Sequence, residues 1–178
     1  MRKHVLIIYG GRFEQSHKIA NEFERLLAEA DMEPFVVSLT KNMEADLWKY
    51  DAFILVTSVR YGYFDKNAYR YIAQNMNKLT NMPCLAVTVS LTARKPEKRD
   101  PKTHSYTAKF LEKSGWPGDV EVVAGELNYP KYKIWDRLAI QLIMKMTGGP
   151  TDKTTVIEYT DWDQIDRTSD RFIKAINS

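Results

Sequence analysis

The chain has 178 residues, 44% of them apolar and 28% charged, with a formal net charge of +3. That balance excludes a disordered or collagen-like chain, and a basic excess this small, with no Lys/Arg stripe or recognition module, excludes nucleic acid as a partner. One cysteine excludes an intrachain disulfide, three scattered histidines give no metal site, and no run nears the roughly 18 apolar residues of a membrane span. The short apolar run after Met1-Arg-Lys-His4 is too brief for a signal-peptide core, so a reducing, cytoplasmic setting is expected.

Residues 5–20 open the chain as an apolar run, two adjacent glycines and a helical stretch, which reads as strand, tight loop and helix. A helix starting directly after a buried strand turns its free N–H groups and positive dipole end toward whatever lies above the strand, which suits phosphate. The glycines are adjacent and no Gly-Lys-Ser/Thr follows, so neither the dinucleotide fingerprint nor the P-loop is present. Ile19, Phe23, Leu26, Leu27 and Ala30 then recur at helical spacing, the stripe of a helix lying on a sheet. Residues 34–39 predict a second strand and 46–50 a helical turn. Residues 51–57 predict a third strand whose unbroken apolarity fits a central position covered on both faces.

An aromatic loop at 58–64 leads to a helix with Ala68, Tyr71, Ile72, Asn75, Met76 and Leu79 on one side. Residues 82–90 predict a fourth strand, with Pro83 near its start, where a missing N–H is tolerated. A polar loop at 91–104 precedes a helix over 105–114, stopped by Gly115-Trp-Pro-Gly118, and a fifth strand at 120–125. The chain then inserts residues 126–150, with a helix over 131–146 ended by Gly148 and Gly149. An extended piece at 156–159 and a last helix capped by Asp161 or Asp163 complete it. The alternation predicts one α/β domain spanning 1–178. It is a doubly wound, five-stranded parallel sheet of flavodoxin-like order 2-1-3-4-5, with the helical insertion after strand five.

Ligands of such sheets bind outside the carboxyl ends of the strands, where strand order reverses. This gathers three loops, at 10–16, 58–63 and 90–94. Loop one, with the Gln15 amide and the Ser16 hydroxyl, is either an anion cradle or an ordinary capped turn. Loop two sets the plane of Tyr61 beside Gly62, suited to a flat ring, or is a surface cluster of aromatics. Beyond loop three, Arg94, Lys95, Lys98, Arg99 and Lys102 fall within nine residues, a grip for carboxylates or a solvated face. On the insertion helix Ile134, Trp135, Leu138, Ala139, Leu142, Ile143 and Met146 cover about half the circumference. Ile140 and Met144 stay apolar beside Arg137, Gln141 and Lys145. Three readings stand: a core helix under the C-terminal one, a membrane-interface helix, or a dimer contact that would make a homo-oligomer.

Several blocks together resemble the flavodoxin-fold, menaquinone-dependent protoporphyrinogen oxidases (dehydrogenases) of bacterial haem biosynthesis. They are Arg60-Tyr-Gly62, Ala93-Arg-Lys-Pro-Glu-Lys-Arg99 with Ser105-Tyr106, Tyr129-Pro130 with Tyr132, Trp135-Asp-Arg137, residues 142–146, Gly148-Gly149 and Tyr159-Thr-Asp-Trp162. The resemblance runs nearly end to end. It implies an FMN enzyme that oxidises protoporphyrinogen IX and passes electrons to menaquinone or ubiquinone, peripherally associated with the inner membrane. It places cofactor on Gly11, Arg12, Phe13, Glu14, Gln15 and Ser16, on Ser58, Val59, Arg60, Tyr61 and Gly62, and on Ser90, Leu91, Thr92 and Ala93. Substrate propionates fall to Arg60, Arg94, Lys95, Lys98 and Arg99; it supplies no acid or base. The other two readings are a soluble flavodoxin-type electron carrier and a flavin-free binding protein. The chain departs from the family in loop one, where Gly10 and Gly11 stand in place of hydroxyl side chains. A lost hydrogen bond to a charged group, about 1.5–3 kcal/mol, implies FMN binding weaker by roughly ten- to a hundredfold unless something compensates.

Overall fold

The computed structural model describes residues 2–11, 14–41 and 43–178. Five strands, β1 (His4–Gly10), β2 (Glu33–Ser38), β3 (Ala52–Ser58), β4 (Cys84–Val89) and β5 (Asp119–Val123), form one sheet in the order β2-β1-β3-β4-β5. All pair in parallel, with Ile7 opposite both Val36 and Ile54, and Ile54 opposite Leu85. The expected order is therefore observed. Its cause is visible in burial: the apolar runs of β3 and β4 are buried almost throughout, whereas β2, at the edge, leaves Phe35 and Val37 exposed.

Helices α1 (Gln15–Glu29) and α5 (Trp162–Asn177) cover one face of the sheet, where Ile19, Phe23, Leu27, Ile165 and Phe172 meet Val5, Ile7, Ile54 and Val87. Helices α2 (Lys66–Leu79) and α3 (Ser105–Ser114) cover the other through Ile72, Phe110, Leu6, Phe53 and Leu55. Asp65 caps α2 by accepting from the Asn67 N–H, Asp161 caps α5 by accepting from the Gln164 N–H, and Gly115, at φ 64°, closes α3 in the left-handed conformation. Cys84 is buried between sheet and helix; burial first, then the Asp119 carboxylate, pushes its thiol up to about 12, which leaves it unreactive.

The insertion differs from the sequence expectation. Its helix starts later, as α4 (Ile134–Met146), after a separate 3-10 turn over Tyr129–Lys131. Two short strands, β6 (Glu126–Asn128) and β7 (Val156–Glu158), pair antiparallel on either side of it. Since α5 lies on α1, the core-helix reading of α4 fails: α4 buries only Asp136 and Met144. Met144 packs with Leu127, Tyr129 and Tyr132 in a small separate cluster that Ile140 joins from its edge. Ile134, Trp135, Leu138, Leu142 and Met146, the residues that made the helix look like core, are 50–77% exposed.

Candidate active site

Loop one leaves β1 at Gly10 and enters α1 at Gln15. Gly11, at φ 145°, adopts a conformation that side chains disfavour, and a Cβ there would collide with the Ser58 hydroxyl and crowd that of Ser16 at 3.2 Å. Ser16 is 1% exposed and its Oγ has no hydrogen-bond partner among the described residues. Glu14, at the N-cap, is helical and makes no side-chain cap, so the first N–H groups of α1 are not covered from that side. Two hydroxyls, a glycine and a helix start thus converge on one spot. Gln15 serves the scaffold: its amide donates to Glu158 Oε1 at 2.9 Å and to Thr160 Oγ1 at 2.7 Å, while its Oε1 lacks a partner. Glu14 is exposed and paired with Lys131 at 2.7 Å; that hydrogen bond and charge hold its carboxyl below the usual range. Arg12 and Phe13 lie outside the described residues.

Loop two is a tight turn. Arg60 N–H donates to the Tyr63 carbonyl at 2.8 Å and Tyr63 N–H to the Arg60 carbonyl at 3.0 Å. The two residues between them, Tyr61 and Gly62, both have positive φ, 50° and 81°, as a type I′ turn requires. For tyrosine that conformation costs about 1–2 kcal/mol. Its far end is held in return: the Tyr61 hydroxyl donates to Asp136 Oδ1 at 2.5 Å, and the Arg60 guanidinium, 4.7 Å from the Tyr61 ring centre, donates to the same oxygen at 3.2 Å. Asp136 is 3% exposed and sits in the first turn of α4, so the insertion is tied to loop two through a buried carboxylate.

Loop three begins at Ser90 and winds into a short 3-10 turn, Leu91–Arg94. Ser90, Leu91 and Thr92 reach the site, whereas Ala93 is fully buried behind it against Val122 and Ala124. The basic stretch is not gathered at the site. Arg94 donates to the Leu91 carbonyl at 3.1 Å and to the Thr147 carbonyl and hydroxyl at 2.9 Å, clamping the end of α4. Arg99 donates to the Ala93 carbonyl and pairs with Asp161 at 3.0 Å. Both guanidiniums, half-buried, are thus engaged by protein groups, where the sequence reading has them hold substrate. Lys95 and Lys98 are exposed. Arg60 alone of the five expected substrate cations lines the cleft.

That cleft, open to solvent, lies between loops two and three and the inner face of α4. Its walls include Val59, Leu91, Tyr106, Ile140 and Ile143, with Asp136 and Glu126 as its carboxylates. Asp136, Glu126, Tyr106 and Tyr132 had no assigned role in the sequence. For Asp136 a signal existed, since residues 136, 139, 140 and 143 share one helical face and all line the cleft. The outward residues hid it, being larger and more numerous.

A family model described as a flavodoxin domain matches residues 6–154, which sets the class of protein. Oxidised flavodoxin 1 from Bacillus cereus shares the fold at a TM-score of 0.58 and 15% identity, covering 96% of this chain and 97% of that one. The Escherichia coli K12 protein named protoporphyrinogen IX dehydrogenase (quinone) is 38% identical over 161 residues, 90% of this chain and 89% of its own. A Leishmania major protein of the same name is 39% identical over 169 residues, 94% of this chain and 73% of its own. The chain belongs to the flavodoxin-domain family and, within it, to the protoporphyrinogen IX dehydrogenases (quinone).

Proposed function

We propose that the chain binds FMN in this cleft and oxidises protoporphyrinogen IX to protoporphyrin IX, passing the electrons to a membrane quinone, menaquinone or ubiquinone. The reading rests on relatives that carry this name and, within the molecule, on the two-sidedness of α4. Its inner face walls the cleft through Asp136, Ala139, Ile140 and Ile143, while its outer face exposes Ile134, Trp135, Leu138, Leu142 and Met146. An apolar patch of that kind, flanked by the exposed Lys133 and Lys145, suits peripheral contact with the inner membrane, where quinone resides. Among the described residues no helix is long and apolar enough to cross a membrane.

The residues present fit FMN. A buried hydroxyl without a partner among the described residues, a second hydroxyl touching Gly11 and a helix start that Glu14 does not cap are what a phosphate needs. Ser58, arriving from β3, takes the place of the hydroxyls that Gly10 and Gly11 lack. Val59, Gly62, Leu91 and Thr92 would flank the ring, with Ala93 supporting loop three from behind. When bound, the flavin supplies the hydride-accepting chemistry that side chains lack. Arg60, oriented by Asp136 and stacked on Tyr61, would pair with a substrate propionate, and Lys95 and Lys98 supply further charge from the exposed loop. The apolar side chains of Ala139, Ile140 and Ile143 would shield the α4 side of the substrate. Anaerobic addition of protoporphyrinogen IX to FMN-loaded protein should bleach the flavin absorbance; a spectrum that stays unchanged sinks the reading.

A further inference from the structure

Beneath loop three runs an unbroken row of side-chain hydrogen bonds that the proposed chemistry does not use. Ser90 Oγ lies 2.9 Å from Thr92 Oγ1, which lies 2.9 Å from His104 Nε2. On the other side of the imidazole, Nδ1 lies 2.8 Å from Thr107 Oγ1, itself 2.8 Å from Thr88 Oγ1. Ser90 and Thr92 line the cleft, and Thr88, His104 and Thr107 are buried. Burial first, and then the charge of Lys98, lower the pKa of His104, so the ring is neutral and carries one proton between its two nitrogens.

In such a row each link holds one proton and either atom can donate it. The two fixed ends disagree about the direction. The Glu121 carbonyl only accepts, and Thr88 can donate to it at 3.3 Å. If it does, Thr107 donates to Thr88, Nδ1–H to Thr107, Thr92 to Nε2 and Ser90 to Thr92, and Ser90 turns only lone pairs to the cleft. The Thr107 backbone N–H only donates, and it lies 3.3 Å from Nδ1. If Nδ1 accepts there, Nε2–H donates to Thr92, Thr92 to Ser90, and the Ser90 O–H points into the cleft. Both end contacts are equally long, so neither dominates, and a ligand at Ser90 can decide between them.

We propose that this row is a reversible hydrogen-bond wire through which Ser90 offers the bound flavin a donor or an acceptor as its oxidation state demands, with His104 exchanging tautomers. The two arrangements contain the same protons: hydroxyls turn about their C–O bonds, and the imidazole first gains a proton from solvent on one nitrogen and then releases the proton of the other to solvent as the packing around it opens, so that proton count and charge are restored. His104 is a positioning residue in this scheme, acting on the ligand only through Thr92 and Ser90, and Thr92, beside the flavin ring, hands the direction on to Ser90. The inference rests on the reading that flavin occupies the cleft.

Nitrogen NMR of imidazole-labelled protein tests it, with the His104 signals assigned through His104→Gln. In FMN-loaded protein the shifts of Nδ1 and Nε2 should exchange their protonated and unprotonated character, wholly or in large part, between the oxidised and the chemically reduced sample. Thr92→Val should abolish the exchange and Thr92→Ser should keep it. The same tautomer in both oxidation states of the wild-type protein would overturn the wire while leaving the flavin reading intact. Failure of the folded protein to take up FMN, seen as no flavin absorbance after gel filtration, would overturn both.

Discussion

Ser16 carries a buried hydroxyl with no partner among the described residues, and an unpaired buried polar group costs stability rather than adding it. Ser16→Ala should therefore leave the melting temperature unchanged or slightly raised, while weakening FMN binding roughly tenfold or more by loss of a charge-assisted bond. A fluorescence titration of FMN against both proteins measures this, and equal affinities would remove Ser16 from the phosphate site. His104 carries a different signature. Its pKa is lowered in the folded chain, so its neutral form contributes stability that is present above the ordinary value of 6.5 and is lost as pH falls through the lower folded value. Among the described residues the charge of Lys98 reinforces the shift. Denaturant unfolding followed from about pH 7.5 to about 5.5 should show a decline, at most about 1.4 kcal/mol per pH unit from this residue, that His104→Gln removes. Parallel pH profiles for the two proteins would contradict that placement. Neither role can be read from the residue alone: His104 joins Thr107, three residues on, to Thr92, twelve residues back, and the Ser16 hydroxyl is known to lack a partner among the described residues only once its surroundings are in place.

At the scale of elements, helix α4 separates what the sequence shows from what it hides. The parallel strands, α1, α2, α3 and α5 follow from apolar runs and stripes that tertiary packing then respects. In α4 the largest apolar residues face outward, because the core it would have joined is already closed by α1 and α5. Counting apolar positions thus selects the wrong face. Strand β6 is three residues long, Glu126-Leu-Asn128, and only pairing with β7 makes it a strand. The basic loop was legible as a charge cluster but not in its destinations, since Arg94 meets Thr147 and Arg99 meets Asp161, separations of 53 and 62 residues. The exposed face of α4 yields a direct expectation. Replacing Trp135 and Leu142 by Ser together should leave the unfolding midpoint nearly unchanged, since surface side chains contribute little, and should abolish flotation with anionic liposomes. Undiminished flotation would assign membrane contact elsewhere; a loss of oligomer instead would assign the face to a second copy.

At the scale of the whole molecule, two apolar cores hold the sheet between them, and the site loops leave it at its carboxyl edge. The sheet sets three loops side by side, as its strand order requires. The insertion then adds a wall, tied to loop one by Lys131 and Glu14, to loop two by Asp136, and to loop three by Arg94. Those ties join the cleft on one side of α4 to the exposed apolar face on the other. The family and fold were legible from motif blocks and alternation, whereas the cleft depends on contacts between segments far apart in the chain. The account turns on coupled turnover. FMN-loaded protein given protoporphyrinogen IX and menadione under strict anaerobiosis should generate porphyrin fluorescence at a rate that depends on both enzyme and quinone. Folded, flavin-bearing protein that yields no porphyrin above the enzyme-free control would contradict it.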